Sequence, residues 1–314
     1  MKIPIIVIVG PTASGKTAVS IDLAKKFDGV IISADSMQIY KGMDIATAKP
    51  TVEEMAEIEH YLMDFLELSE KFSVADYVKA AKEEIAKIYK AGKLPIIVGG
   101  TGLYITSLLD NVQFTEYKTD VDLRATLNER IKTEGGEVLL KELAEFDPKH
   151  AETLHPNNQN RIVRAIEIYQ TTGKTMSDHI AESKLTNSAY APLIIGLTYK
   201  DRQKLYDRIN SRVDIMMENG LIAEAEETLS ANIKTARQAI GHKELEGYFA
   251  GDISLTQAID NLKKQTRRYA KRQLTWFRRD DKINWIAKDD LSEAEICKIA
   301  QDKVTEFIQG ERYE

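Results

Sequence analysis

Residues 3–17 read IPIIVIVGPTASGKT. The first seven form an unbroken apolar run suited to a strand buried on both faces, and after the loop Val19, Leu23 and Phe27 recur at helical spacing. Between them stands G-x-x-x-x-G-K-T. Gly10 and Gly15 can take backbone angles that other residues avoid, so that successive N–H groups converge on an anion. Lys16 adds a point charge, and the Thr17 hydroxyl suits Mg²⁺. Gly10, Pro11, Thr12, Ala13, Ser14, Gly15, Lys16 and Thr17 are therefore the candidate anion cradle. Such a loop recognises phosphoryl oxygens and leaves open whose phosphate it holds.

Outward from the loop, VIISAD (30–35), LPIIVGG (94–100), APLIIGLT (191–198) and KINWIA (282–287) read as further strands among helical patterns. The expected fold is α/β: a P-loop NTPase-like, mostly parallel sheet flanked by helices. Right-handed crossovers would bring the loop and its neighbours' strand ends to one carboxyl edge, so Asp35 and the Gly99–Gly100–Thr101–Gly102 turn should line one crevice. Asp35 could hold Mg²⁺ or take a proton from a nucleophile, the lesser alternative being that it only caps the turn that follows. The loop DSMQIYKGMDIATAKP (35–50) lacks periodicity but is rich in hydrogen-bonding groups. Ser36 and Gln38 can read a base edge or stitch the loop together, and spacing does not choose between these.

From Asn111 to Tyr190 the chain is charged and helix-forming, without a strand-like run. We expect an all-α insertion domain at 115–190 within a core domain made of 1–114 and 191–314. Helices dominate after Lys200, the last announced by a capping box at Ser292 and Glu295.

The single cysteine, Cys297, leaves no intramolecular disulfide, and no run approaches the ~18 apolar residues of a membrane span. The start is too short in apolar residues for a signal peptide, so a cytoplasmic protein with no membrane partner is expected. The net charge of −6 hides a local reversal: residues 261–279, NLKKQTRRYAKRQLTWFRR, hold eight Lys or Arg and no acid. Interleaved with Tyr269, Trp276 and Phe277, these cations suit a polyanion with exposed bases, or else the rings are core and the cations a solvated face.

Taken in order, GPTASGKT, DSMQIYKGMDIATAKP, IVGGTGLYI (97–105), NRIVRAIEIYQTTGK (160–174), LYDRINSRVDIMMENGLIAEAEE (205–227), AIGHKEL (239–245) and YAKRQLTWFRRD (269–280) closely resemble the tRNA dimethylallyltransferase family over essentially the whole chain. The resemblance implies transfer of a dimethylallyl group from dimethylallyl diphosphate to the exocyclic amine of the adenine 3′ of the anticodon, with release of pyrophosphate. It implies that Thr12 to Thr17 contact the diphosphate, that Lys16 and Thr17 with Mg²⁺ neutralise it, and that Asp35 accepts the proton of the amine. Arg208 and Arg212, four apart on one helix face, would clamp the diphosphate, the alternative being surface salt bridges.

For the tRNA anticodon stem-loop the family pattern points to Asp35, Ser36, Met37, Gln38, Thr101, Arg124, Gln159, Asn160, Arg161, Ile162 and Val163. Within the last group, Ile162 and Val163 continue into an apolar face while Gln159, Asn160 and Arg161 face RNA. The insertion would grip the stem-loop, and a monomer is the expected state. Ala46 stands where the family usually has Gly, and His242 where Tyr is common; both bear on the positioning of the loop, not on the reaction. The rival readings are a P-loop small-molecule kinase using ATP and an RNA-binding ATPase switch that makes no covalent product.

Overall fold

The computed structural model describes residues 2–112, 120–183, 188–230, 235 and 239–311. It divides into two compact units, Met1–Leu109 with Ala189–Glu314, and Asp110–Ser188. The expected first boundary of the insertion, at 115, lies outside the described residues. At the other end Tyr190, expected in the insertion, pairs with Ile3 as the first residue of a strand.

In the first unit the chain runs β1 (Ile3–Val9), α1 (Lys16–Phe27), β2 (Gly29–Ser33), α2 (Val52–Met55), β3 (His60–Tyr61), α3 (Val74–Lys90), β4 (Leu94–Gly99) and α4 (Gly102–Leu109). The second unit supplies α5 (Val121–Thr133), α6 (Gly136–Phe146), α7 (Pro148–Ala151), α8 (Gln159–Thr172) and α9 (Met176–Ser183). The first unit then resumes with β5 (Tyr190–Thr198), α10 (Arg202–Glu218), α11 (Leu221–Ser230), α12 (His242–Phe249), α13 (Leu255–Phe277), β6 (Asn284–Ala287) and α14 (Glu293–Glu311).

The six strands order as β3-β2-β4-β1-β5-β6, and every neighbouring pair is parallel. Side chains alternate across a strand, and Ile5 to Val9 are all fully buried, so β1 is covered on both faces at the centre of the sheet. Ile6 and Ile8 pack toward α1 and α14 in a cluster with Leu23, Ile96, Leu197 and Val304. The order reverses on either side of β1: the chain after β1 passes to β2, beyond β4, whereas β5 joins the other side. Open parallel sheets bind ligands at such a switch point, outside the carboxyl ends of the strands. The loop 10–17 sits there.

One feature departs from the strand pattern read from sequence. The pairing of Ile31 with His60 and Ile32 with Tyr61 adds β3 as an edge strand that no apolar run announces. In the second unit, Leu127, Ile131, Leu139, Leu143, Ile162 and Ile166 form a separate core.

Candidate functional site: an anion loop with an open carboxylate beside it

Left-handed backbone at Ala13 (φ 62°) and Gly15 (φ 83°) folds the loop into a nest, and α1 begins at Lys16. The Lys16 amine folds back over its own loop, donating to the carbonyls of Gly10 (3.1 Å) and Pro11 (2.9 Å). Burial, and next the neighbouring charge of Arg212, lower its pKa to about 8, with Asp35 opposing them. The Ser14 hydroxyl is buried without a hydrogen-bond partner.

On one side the loop opens into a cavity of about 910 Å³ lined by Thr17, Ile45, Lys49, Arg208, Arg212 and Met216, among others. Arg208 donates from Nε to the Ala13 carbonyl at 3.2 Å. Among the described residues neither Arg208 nor Arg212 forms an ion pair, so the salt-bridge alternative is absent there. Burial disfavours the Arg212 guanidinium and lowers its pKa, while Glu54 and Asp35 work the other way. A half-buried cation without a counter-ion is a receptor for an anion.

Asp35 follows β2. The Asp35 Oδ1 accepts from the Met37 N–H at 2.9 Å and the Gln38 N–H at 3.4 Å, so this oxygen does cap the turn, as the plainer reading had it. Its second oxygen has no partner among the described residues. Gly99 and Gly100 create the surrounding geometry. A Cβ at Gly99 would lie 2.1 Å from the Ala34 carbonyl oxygen, and one at Gly100 would lie 2.1 Å from Nε2 of Gln273. The Thr101 N–H therefore reaches the Ala34 carbonyl at 3.1 Å, and Thr101 Oγ1 accepts from the Ser36 N–H at 3.0 Å. Asp35, Ser36 and Thr101 thus share one crevice.

The other predicted residues divide among loop hydrogen bonds, core packing and exposed surface. Gln38 donates from Nε2 to the carbonyls of Thr47 (3.1 Å) and Ala48 (3.2 Å) and accepts from Ser33 Oγ at 3.2 Å, so it stitches the loop and has no free edge for a base. The Thr12 N–H is committed to Oε1 of Gln273 at 2.8 Å and is not a phosphate donor; Pro11 has no N–H, and its carbonyl serves Lys16. Ile162 and Val163 are buried in the core of the second unit, which removes their side chains from any RNA surface. Gln159, Asn160 and Arg161, at the start of α8, are exposed. Arg124 lies 3.9 Å from the fully buried Glu167, which also binds Arg164 at 2.9 Å. Phe277 is core, and Trp276 lies over Gly102 and donates to Thr106 Oγ1 at 3.1 Å. The rings are packing, whereas Lys264, Arg268, Lys271, Arg272, Arg278 and Arg279 are exposed.

Sequence reasoning missed three residues. Gln273 joins the anion loop to the glycine turn, with Nε2 donating to the Gly100 carbonyl at 3.0 Å. Glu224 accepts from the N–H groups of Asp44 (2.7 Å), Ile45 (2.6 Å) and Ala46 (2.9 Å), fixing the cavity wall. Lys288, 7% exposed, donates to the Ser14 carbonyl at 2.9 Å. Tyr269, an aromatic of the basic segment, turns its hydroxyl toward Thr101, Gln273 and Asp35, and burial, then the Asp35 charge, raise its pKa.

For Mg²⁺ the donor set fits. The Thr17 hydroxyl, in the first turn of α1 beside the anion loop, is a hard, unpartnered oxygen donor. Among the described residues no group of three or more His, Cys, Asp or Glu is close enough to cage a metal, so substrate oxygens would have to complete the coordination.

An anion nest at the switch point of a parallel sheet, beside two unpaired arginines and a half-open carboxylate, defines a P-loop α/β protein built to hold an anion. A family model described as IPP transferase matches residues 38–280. A tRNA dimethylallyltransferase of Thermoanaerobacter sp. (strain X514) is 50% identical over 302 residues, 95% of this chain and 96% of the relative. That of Bacillus subtilis (strain 168) is 49% identical over 287 residues, 91% of each chain. Among solved structures, the tRNA isopentenylpyrophosphate transferase of Bacillus halodurans matches at a TM-score of 0.73 with 42% identity, covering 99% of this chain and 100% of the other. A eukaryotic dimethylallyltransferase acting on tRNA matches at 0.84 with 30% identity, covering 98% and 80%. The chain belongs to the tRNA dimethylallyltransferase family and is a prenyltransferase. The kinase reading is not favoured. No described helix is long and apolar enough to cross a membrane.

Proposed function

We propose that the chain moves the dimethylallyl group of dimethylallyl diphosphate onto the exocyclic amine of the adenine immediately 3′ of a tRNA anticodon. The single observation that most supports this is the open Asp35 oxygen standing beside the Lys16 loop, with a cavity for the donor on the arginine side.

The diphosphate would occupy the N–H groups of residue 13 and residues 15–17, the Ser14 N–H being taken by the Pro11 carbonyl at 3.3 Å, with Lys16, Arg208 and Arg212 as counter-charges. The amine nitrogen attacks the allylic carbon while the C–O bond breaks, and its electron pair leaves on pyrophosphate. Asp35 takes the amine proton on its free oxygen. Mg²⁺, held by Thr17 and the diphosphate oxygens, would supply further neutralisation of the leaving group. The amine lone pair is delocalised into the purine, so placing it against the allylic carbon matters at least as much as removing its proton. Apolar Ile45, Ile215 and Met216 line the same cavity and suit the isoprenoid chain. The target base must leave its stack, and unstacking costs a few kcal/mol that phosphate contacts offset. The exposed cations of α13, with Arg124, Gln159, Asn160 and Arg161, are candidates for those contacts. We take the enzyme to act as a cytoplasmic monomer.

Unmodified tRNA incubated with dimethylallyl diphosphate and Mg²⁺, then digested and weighed as nucleosides, should yield prenylated adenosine without ATP. Asp35→Ala should lose product formation while retaining tRNA binding. Unchanged adenosine in the wild-type reaction overturns the reading, and a fully active Asp35→Ala removes Asp35 from the mechanism.

A further inference from the structure

Lys288 directly follows β6, and its backbone N–H continues the pairing with β5 by donating to the Thr198 carbonyl at 2.9 Å. This fixes the side chain behind the anion loop. From there Nζ donates to the Ser14 carbonyl at 2.9 Å. A Cβ at Gly15 would lie 2.6 Å from that same amine, so the glycine is what admits the lysine. Among the described residues no carboxylate lies within ion-pair distance of it.

A peptide unit is planar and trans, so its C=O and N–H point in opposite directions. Holding the Ser14 carbonyl outward therefore turns the Gly15 N–H inward, toward the concave side of the nest. The rest of the loop is held by the same logic: Lys16 takes the carbonyls of Gly10 and Pro11, and Arg208 takes that of Ala13. Lys288 completes a set of three cations gripping the outward face of the loop. Burial, then the charge of Arg208, lower its pKa, with the more distant Glu293 opposing them.

We propose that Lys288 is a positioning residue for the donor diphosphate: it orients the Gly15 N–H toward the anion and supplies a buried positive charge that the bound anion compensates. The proposal rests on the reading of residues 10–17 as the diphosphate site.

Inorganic pyrophosphate with Mg²⁺, titrated calorimetrically, tests the two separately. Failure of the wild-type protein to bind pyrophosphate would sink the diphosphate reading itself. With wild-type binding in hand, Lys288→Met should weaken pyrophosphate at least tenfold and raise the donor KM by a similar factor. Affinity for tRNA and the melting temperature of the free protein should change little, and the surface variant Lys298→Met should behave as wild type. Lys288→Gln, neutral but still a donor, is measured in parallel and carries the same expectation should the Met variant not fold. A folded variant that binds pyrophosphate within twofold of wild type overturns the inference. So does one that loses tRNA affinity and thermal stability in proportion, since that marks a merely structural lysine.

Discussion

The carboxylate of Glu224 and the imidazole of His242 meet at 2.9 Å, Nε2 donating to the same Oε1 that accepts the Ala46 N–H. Ala46 and His242, both read above as departures from the resembled pattern, are therefore joined through one oxygen. Gly241, with φ at 117°, brings the chain so close that a Cβ there would lie 3.1 Å from Cβ of Ala46. Asp44, Ile45 and Ala48 to Thr51 line the cavity beside the anion loop, so this junction sets the shape of the cavity from outside it.

Replacing Glu224 by Gln leaves three backbone N–H groups facing an amide with fewer acceptor sites. Loss of charge-assisted bonds of this kind costs about 2–3 kcal/mol, and chemical denaturation should read that decrease. Burial works to raise the Glu224 pKa, but the bonds from His242 and from the N–H groups of Ala46 and Ile45 outweigh it and hold the pKa below the ordinary value. A depressed carboxylate stabilises the fold above its unfolded pKa of about 4.3 and loses that contribution as pH falls through the folded value. Glu224→Gln should flatten the acid limb of the stability profile below about pH 4.3; an unaltered limb would refute the assignment.

Gln273 predicts a coupled defect. Its amide is 5% exposed and joins Thr12 to Gly100. Gln273→Leu leaves the buried Gly100 carbonyl without a partner, at about 1–3 kcal/mol, and frees the part-buried Thr12 N–H at a smaller cost. Because one bond steadies the donor loop and the other the turn that carries Thr101, donor KM should rise and kcat fall together. Steady-state kinetics showing a change in neither would separate Gln273 from the site.

How much of this was legible in the sequence depended on the range of the interaction. The run Ile5 to Val9 shows a doubly buried strand because parallel strands need no polar face, and the spacing of the glycines shows the nest. The apolar face of α8 separated Ile162 and Val163 from Gln159, Asn160 and Arg161 by period alone. The strand His60–Tyr61 carries no such signal, being two residues at a sheet edge. Gln273 meets Thr12 across 261 residues, Lys288 meets Ser14 across 274, and Glu224 meets Ala46 across 178. Nothing local distinguishes Glu224 from Glu226 or Glu227 beside it. Gln38 was ambiguous because a base and a loop carbonyl ask for the same donor.

Lys16 predicts a pH dependence. With its pKa near 8 in the free protein, the amine is charged at pH 7 and loses its proton as pH rises through that value. Pyrophosphate favours the charged form, so affinity should be greatest below pH 8 and fall above it. Pyrophosphate itself gains charge on the alkaline side, which opposes the trend, so Lys16→Arg is the comparison: its guanidinium stays charged and should abolish the alkaline decline. Parallel titrations from pH 7 to about 9.5 read the difference, and equal slopes in the two proteins would contradict the assignment.

The exposed cations of α13 predict a salt effect on tRNA binding that leaves the donor untouched. Lys264, Arg268 and Lys271 fall at helical spacing on the solvent side of α13, while Lys263 turns to Asp214 at 2.6 Å and Arg267 to Asn210 at 2.6 Å. Among the described residues the three exposed side chains have no acidic partner, so each is available to a phosphate. Every phosphate neutralised releases condensed counter-ions and steepens the fall of log K with log salt by about 0.7 to 0.9. Replacing the three by Ala should therefore flatten that slope by about 2 to 3 and weaken tRNA most at low salt. Donor KM at saturating tRNA should stay unchanged, because none of the three lines the donor cavity. A slope equal to that of the wild type would mean that the anticodon stem-loop passes elsewhere.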